Sequence, residues 1–353
     1  SLVAAHVLKQ KGHDLVGIHF KTGYEKPTHE KDPGSGSLED AAAHRTADAL
    51  AKQLNIPVEV MDCGQEFQSR VVDYFTRTDA AGKTPNPCLV CNPLIKFGAV
   101  FAFAESMGAD SLATGHYART RIDPQGLCRL LRGKDRAKDQ SYVLARLPHT
   151  KLSRAIFPLG DMTKQATREL ARQSALVPTA PRESQDVCFI HENQYGEFLM
   201  HQAGFKAAPG PIKDPKGNII GQHPGLHLFT IGQRRGINCP AGEPYYVIGI
   251  DAQNNCLTVG FKQDTLAGEC MVEEINWIRT PPEKPIEART QVRYRHQAAL
   301  SQLVPQGETR ALVRFHTPQS AITPGQGAVF YKGEEVLGGG FIQRTEVPAN
   351  RME

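Results

Sequence analysis

Residues 1–20, SLVAAHVLKQKGHDLVGIHF, carry the reading that decides the fold. Leu2, Val3, Ala5, Val7 and Leu8 form a helical stretch stopped by Gly12, and Leu15 to Phe20 follows as a short buried strand. The same alternation continues outward. After a loop rich in Gly, Pro and Ser, Ser37 with Asp40 offers a capping signal, and Ala43, Ala47, Leu50 and Leu54 sit at helical spacing. Pro57 opens a strand over Val58 to Met61. Phe67, Val71, Tyr74 and Phe75 mark a further helix, and Ile95, Val100, Phe103 and Met107 another, ended by Gly108 before a strand at Leu112 to Thr114. Strands alternating with helices predict an α/β domain whose parallel sheet is covered on both faces. Such sheets bind ligands at the carboxyl ends of their strands, which directs attention to the loops after Phe20 and Thr114.

The pattern changes after about residue 205. Pro209-Gly210, Pro215-Lys216-Gly217 and Pro240-Ala241-Gly242 punctuate short runs such as Tyr245 to Ile250 and Cys256 to Val259, the signature of a small β-rich domain with hairpins. From about Ile275 short strands return at Ala288 to Tyr294, Ala311 to Phe315, Ala328 to Tyr331 and Gly338 to Ile342. Turns at Thr323-Pro324-Gly325 and Lys332-Gly333 separate the later ones, as in a small barrel. The expected division is an N-terminal parallel-sheet domain over 1–205, a small central β-rich domain over 206–272 and a C-terminal β-barrel over 273–353. A chain of 353 residues needs several cores in any case, because single cores stop growing at about 250–300 residues.

Composition narrows the class. With 41 basic and 37 acidic residues the formal charge is +4, which permits nucleic-acid binding without demanding it. No stretch approaches the roughly 18 apolar residues of a membrane helix, and no signal peptide is visible, so no membrane partner is expected. Eight cysteines spread thinly through a long chain do not make a secreted disulfide scaffold. A reducing cytoplasm is the expected compartment, and the close pair Cys88 and Cys91 points to chemistry or metal. Cys63, Cys128, Cys239, Cys256 and Cys270 are assigned to packing or exposed loops.

The strongest local signal is Thr84-Pro85-Asn86-Pro87-Cys88-Leu89-Val90-Cys91-Asn92. Two prolines in four residues stiffen the approach to Cys88 and forbid a regular helix before it. A helical run beginning near Leu94 places Cys91 near a helix start, where the dipole and free N–H groups favour a thiolate. The alternative is a pair of buried cysteines acting as small apolar residues. Ser184-Gln185-Asp186-Val187-Cys188-Phe189 holds a single cysteine that gains meaning only if it meets Cys91 in space. Ala113-Thr114-Gly115-His116 puts a glycine directly after a strand, where backbone can approach a ligand, although His116 is as readily a structural histidine. Lys138-Asp139-Gln140, preceded by Arg129, Arg132, Lys134 and Arg136, reads either as phosphate and base contacts or as a solvated charged face. Arg293-Tyr294-Arg295-His296 suits a phosphate clamp with stacking, or a half-exposed strand. Gln233-Arg234-Arg235-Gly236 is a further basic spot.

Taken in order, these segments resemble one family over essentially the whole chain, the bacterial tRNA-specific 2-thiouridylases. The resemblance rests on TPNPCLVCN at 84–92, IKFG at 95–98, ATGHYA at 113–118, LLRGKDRAKDQSYVL at 130–144 and FPLGDMTK at 157–164. It continues through SQDVCFI at 184–190, TIGQRRG at 230–236, YYVIG at 245–249, RYR at 293–295, TPGQ at 323–326 and LGGG at 337–340. It implies an ATP-pyrophosphatase (PP-loop) domain, a central domain and a C-terminal barrel that contacts tRNA. It also implies replacement of the C2 oxygen of a wobble uridine by sulfur, with ATP and Mg²⁺ activating the base and a sulfur-relay protein donating a persulfide. By the same resemblance Cys91 and Cys188 are catalytic and close a disulfide, with Cys188 carrying the persulfide. Ser1, Phe20 and Gly115 contact nucleotide. Asn86, Pro87 and Cys88 meet the target base, and Lys138, Asp139, Gln140, Arg293 and Tyr294 contact tRNA.

Two departures matter. The family's SGGVDS phosphate loop should stand just before Leu2, and only its last serine is matched, by Ser1. Because the sequence opens without methionine and runs straight into a helix, N-terminal sequence is expected to be missing. Cys88 stands where many members carry Asp. With Cys91 and Cys188 it makes three candidate thiolates, enough for an iron–sulfur cluster with one open iron. Cluster-dependent thiolation and a non-catalytic tRNA-binding relative are the alternatives to the persulfide enzyme.

Overall fold

The structure, a computed structural model, describes residues 1–25, 36–178, 187–190 and 194–343. The chain divides into two compact units. One contains residues 1–71, 88–191 and 334–336; the other contains 72–87, 192–333 and 337–353.

In the first unit, helix α1 (Leu2–Gln10) buries Ala4 and Leu8 and leads to strand β1 (Gly17–Lys21). Helix α2 (Gly36–Leu54) returns the chain to β2 (Val58–Asp62), which pairs in parallel with β1, Phe20 opposite Met61. A second parallel pair joins β3 (Leu112–Ala113) to a later strand at Ala155–Ile156. Parallel pairing is as expected, but it takes the form of two separate two-stranded pieces, and β1 is half-buried along its length rather than fully buried. Between β3 and that later strand, in sequence, comes an antiparallel hairpin that sequence periodicity did not reveal, β4 (Ala118–Ile122) with β5 (Cys128–Arg132). The strand at Ala155–Ile156 is β6.

The expected helix near Leu94 begins earlier, at Cys88, and runs to Ser106. Pro93 lies inside it. Proline has no N–H to donate and its ring opposes the carbonyl four residues back, here that of Leu89. Over Asn92–Val100 the helix widens to i→i+5 hydrogen bonding. By length and composition this 19-residue helix is apolar enough to cross a membrane, so the expectation that no such stretch exists is corrected. Half of it is buried inside the protein, with Ile95, Phe97 and Phe101 wholly enclosed.

The second unit holds the β-rich remainder. Strands β7 (Gly210–Lys213), β8 (Ile219–His223), β9 (Tyr246–Asp251) and β10 (Cys256–Gly260) form a sheet in the order β8-β7-β10-β9. Two hairpins are joined through a parallel β7/β10 contact, around a core of Ile212, Val247, Leu257 and Val259. Beyond it, β11 (Leu266–Trp277), β12 (Ile286–Gln291), β13 (Ala299–Pro305), β14 (Ala311–Ser320), β15 (Gly327–Lys332) and β16 (Glu335–Ile342) follow the order β11-β14-β13-β12-β15-β16, and β16 pairs back with β11. The result is a closed six-stranded barrel. Alternate residues point inward, so Ser301 and Leu303 are buried on β13 and Ala311, Val313 and Phe315 on β14. Each large apolar side chain so enclosed contributes roughly 1.5–3 kcal/mol. Closure depends on the Leu337-Gly338-Gly339-Gly340 run. A β-carbon at Gly338 would stand 2.5 Å from the Asn276 carbonyl, and one at Gly340 would collide with that of Glu273.

Residues 72–87 fold with this second unit. Phe75 packs edge-on against Tyr195 and Phe198, and the Tyr195 hydroxyl donates to Asp79 at 2.6 Å. Thr84 donates its N–H to the Pro324 carbonyl at 2.8 Å.

Candidate active site

The thiol cluster belongs to the first unit. Cys88 opens the helix, Cys91 sits in its first turn and Cys188 lies in the described segment 187–190; Ser184, Gln185 and Asp186 lie outside the described residues. Ring packing ties these pieces together. Phe189, next to Cys188, meets Phe67 edge-on at 5.5 Å and Tyr24 at 5.8 Å. The Gly64–Phe67 turn in turn packs against the Asn92–Val100 segment that follows Cys91. Cys91 and Cys188 accordingly share one electrostatic neighbourhood: Cys188 raises the cost of charge on Cys91, with Cys88 and buried Cys63 also acting on it. All eight cysteines are free thiols.

Lys96 is the cation of this neighbourhood. In an α-helix, residues five apart point roughly 140° apart. The i→i+5 ladder over Asn92–Val100 narrows that angle, and the Lys96 charge acts on Cys91. Its charge opposes the effect of burial on Cys88, Cys91 and Cys188 alike.

The expectation of a ready thiolate at Cys91 is overturned. Its place at a helix start is confirmed, but burial dominates and pushes the thiol up to about 12, Lys96 pulling back against it. Burial also raises Cys88 and Cys188. Both present surface to solvent, yet enough protein surrounds each sulfur to penalise the charged form. Nor do the three cysteines form a cluster-binding set: among the described residues no three His, Cys, Asp or Glu side chains gather as metal ligands.

In the same unit Ser1 and Gly115 come together, within reach of the Lys96 charge that also acts on the thiols. Ser1 precedes α1 and its carbonyl accepts from Ala5. A β-carbon on Gly115 would lie 2.7 Å from the Ser1 nitrogen, so only glycine fits. Phe20 sits near the carboxyl end of β1. His116 is buried, hydrogen-bonded through Nδ1 to Thr114 Oγ1 at 2.7 Å, and held neutral by burial with Lys96 adding to the effect. That is the environment of a structural histidine.

The segment before Cys88 is held from the second unit's own residues. The Gln326 amide donates to the carbonyls of Thr84 (3.2 Å) and Pro85 (3.1 Å), and the Asn86 N–H donates to the Tyr74 hydroxyl at 3.4 Å. Asn86 and Pro87 are both buried.

Among the polar residues, Asp139 and Gln140 are engaged inward. The Asp139 carboxylate accepts from the N–H groups of Gly133 and Ser141 and from the Ser141 hydroxyl, and pairs with Arg132 at 3.5 Å. Gln140 accepts from the Tyr117 N–H and donates its own to the Tyr117 carbonyl. Lys138, next to them, is half-buried. Arg129 and Arg136, read from sequence as possible phosphate contacts, pair with Asp123 and Glu334. Arg293 and Tyr294 stand exposed in a turn, because β12 ends at Gln291 rather than continuing through them. The Gln291 amide, itself buried, donates to the carbonyls of both residues and fixes that turn.

Three family models match the chain in succession. They are the tRNA methyl transferase HUP domain over residues 1–192, the tRNA methyl transferase PRC-barrel domain over 196–261 and the aminomethyltransferase beta-barrel domain over 267–342. Full-length relatives carry a more specific name. The tRNA-specific 2-thiouridylase MnmA of Desulfosudis oleivorans is 50% identical over 97% of this chain and 92% of its own length. That of Geotalea uraniireducens is 42% identical over 98% and 92%. The chain belongs to the tRNA-specific 2-thiouridylase family.

For a thiouridylase-family chain, sequence reading missed the supporting roles of four residues. Lys96 was visible within the IKFG motif at 95–98, but nothing in residue order announces that its charge acts on Cys91. Gln326 and Gln291 act through hydrogen bonds from their side-chain amides to distant or local carbonyls, for which sequence carries no signal beyond the TPGQ motif. Buried Cys63, assigned to packing, also bears on Cys91. A cavity of about 490 Å³ on the barrel beside Trp277 and Ile286 contains none of the thiols.

Proposed function

We propose that this chain thiolates C2 of the wobble uridine of tRNA in the cytoplasm, using ATP to activate the base and a persulfide on Cys188, loaded by a sulfur-relay protein, as the sulfur source. The observation that carries this reading is the shared neighbourhood of Cys91, Cys188 and Lys96, linked through Phe189, Phe67 and the helix from Cys88.

A carbonyl oxygen is a poor leaving group, and transfer of AMP from ATP onto it, releasing pyrophosphate, lets it depart with the phosphate. The start of α1 beside Gly115 suits the ATP phosphates, since helix N-termini offer free N–H groups and the missing β-carbon allows close approach. Phe20 suits the nucleotide from the strand end. Magnesium usually rides on the phosphates with few protein ligands. The described residues form no ligand set for an iron–sulfur cluster.

The terminal sulfur of the Cys188 persulfide attacks C2 and AMP leaves with the former oxygen. The adduct then holds C2–S–S–Cys188. Cys91, as thiolate, attacks the Cys188 sulfur; the S–S bond breaks, its electron pair stays on the uridine sulfur, and a Cys91–Cys188 disulfide forms. An external reductant reopens it. Lys96 lowers the cost of charge on both cysteines. Asn86 and Pro87, with Cys88, line the place of the extruded base, chemistry on a base normally requiring extrusion. Arg293 and Tyr294, on their fixed turn, hold RNA by charge and stacking, and Lys138 reaches phosphate from a loop that Asp139 and Gln140 brace.

The test is nucleoside mass analysis of tRNA after incubation with the protein, ATP and a persulfide donor. A 2-thiouridine product that depends on ATP and disappears in both Cys91→Ser and Cys188→Ser supports the reading. Retained thiolation in either variant removes that residue from the mechanism.

A further inference from the structure

In the second unit a cavity of about 280 Å³ is lined by Thr84, Tyr195, Gly196, His227, Leu228 and Thr230. Four of these residues are held by hydrogen bonds or ring contacts. Thr84 is pinned through its N–H to Pro324 and through its carbonyl to Gln326. Tyr195 is held by Asp79 at its hydroxyl and by Phe75 at its ring, whose centroids lie 5.2 Å apart. Leu228 and Thr230 are joined by one side chain: the Gln233 oxygen accepts from the Thr230 N–H at 3.0 Å, and its amide donates to the Leu228 carbonyl at 3.1 Å. The same amide donates to the Arg235 carbonyl at 3.0 Å. The cavity wall and the following turn are thus one rigid piece. That turn, between Gly232 (φ +86°) and Gly236 (φ +80°), exposes Arg234 and Arg235.

We propose that this cavity is a nucleotide subsite for single-stranded RNA, seating one unstacked base beside the target uridine, with Arg234 and Arg235 on the adjoining phosphates. The inference rests on the tRNA reading above and adds a contact that reading does not contain. A base needs an apolar face and hydrogen-bonding groups at its edge. Leu228, 45% exposed although it lines the cavity, and the Tyr195 ring supply the first, while Thr84, Thr230 and His227 supply the second. Planar guanidinium groups on a pinned turn suit phosphate oxygens. Thr84 also stands two residues before Asn86, so a base held here is gripped by the same short protein segment proposed to meet the target base. Exposed loop nucleotides, unlike a paired stem, can be splayed to fill two neighbouring sites at once.

The test uses the full chain and a stem-loop RNA carrying the target uridine, intact or abasic at the position on either side of it, with affinity read by fluorescence anisotropy. Thr230→Phe, which fills the cavity, should weaken the intact RNA about tenfold, as loss of one stacked base implies, while one of the abasic RNAs binds wild type and variant alike. Removing both arginines as Arg234→Ala with Arg235→Ala should reduce the slope of log affinity against log salt by about 1.4, about 0.7 for each phosphate contact. His227→Ala, which removes lining instead of adding bulk, should repeat the selective loss should the Phe variant melt early. Equal weakening of intact and abasic RNAs, or an unchanged salt slope, overturns the subsite. So would RNA affinity left intact while sulfur transfer from a protein donor fails, which would make the surface a protein dock. Thiolation of the same stem-loop by wild type is measured alongside. Its absence counts against the proposed function, whereas its presence without a Thr230→Phe effect counts against the subsite alone.

Discussion

The Gln326 side-chain amide donates to the Thr84 carbonyl at 3.2 Å, across 242 residues of chain. Together with its bond to Pro85, this makes the TPGQ motif the clamp on the TPNP motif. Gly325 completes it: at φ +87° its missing β-carbon would stand 2.7 Å from the same Thr84 carbonyl.

Gln326→Leu leaves two carbonyls without their donor and should destabilise the second unit by about 1–3 kcal/mol in urea denaturation. Thiolation should slow as the Asn86-Pro87 segment loosens. Gly325→Ala should do at least as much, because it adds backbone strain to the lost space. Unchanged stability in both variants would show that the clamp holds nothing.

Asp79 is pushed up to about 6, chiefly by burial, with the Tyr195 hydrogen bond pulling the other way. An unfolded aspartate titrates near 3.9. The folded state therefore holds the proton more tightly, and this group's favourable contribution is complete below about pH 4 and lost as pH rises through about 6. Asp79→Asn removes that dependence. Relative to wild type, the variant should gain stability on the order of 2 kcal/mol between pH 4 and pH 6 and stay level above. A difference flat across that window in pH-resolved urea titrations would contradict the burial assigned to Asp79.

The alternation around Leu2–Leu8, Leu15–Phe20 and Val58–Met61 was enough to foresee an α/β unit with parallel pairing, and the Gly- and Pro-punctuated runs after residue 205 foresaw the β-rich part and the barrel. What periodicity could not show is which distant segments share a core. Residues 72–87 read as part of the first domain, yet Phe75, Asp79 and Thr84 find their partners at Tyr195, Phe198 and Pro324. Arg293 and Tyr294 read as strand because alternation continues through them, while Gln291 in fact ends the strand by bonding their carbonyls. For Cys91 the sequence argument rested on a helix start, a local effect. The larger effect, burial, is set by tertiary packing and is invisible in residue order.

Cys91 should accordingly alkylate slowly at neutral pH. With its thiol pushed up to about 12, the reactive thiolate grows only as pH climbs well beyond the ordinary thiol range. Lys96 is the cation opposing that shift, while Cys188, Cys88 and Cys63 reinforce it. Lys96→Gln should therefore slow Cys91 alkylation further at any given pH, as read by mass spectrometry of iodoacetamide-labelled peptides. Fast labelling of Cys91 at pH 7, or labelling unaffected by Lys96→Gln, would contradict this electrostatic picture.

The most direct measurement of the central claim is non-reducing peptide mapping after one turnover with ATP, tRNA and a persulfide donor, reductant withheld. The sulfur route predicts a disulfide-linked peptide pair containing Cys91 and Cys188, formed in step with 2-thiouridine and absent when ATP or tRNA is left out. Thiolated tRNA accumulating while Cys91 and Cys188 both remain free thiols would contradict it.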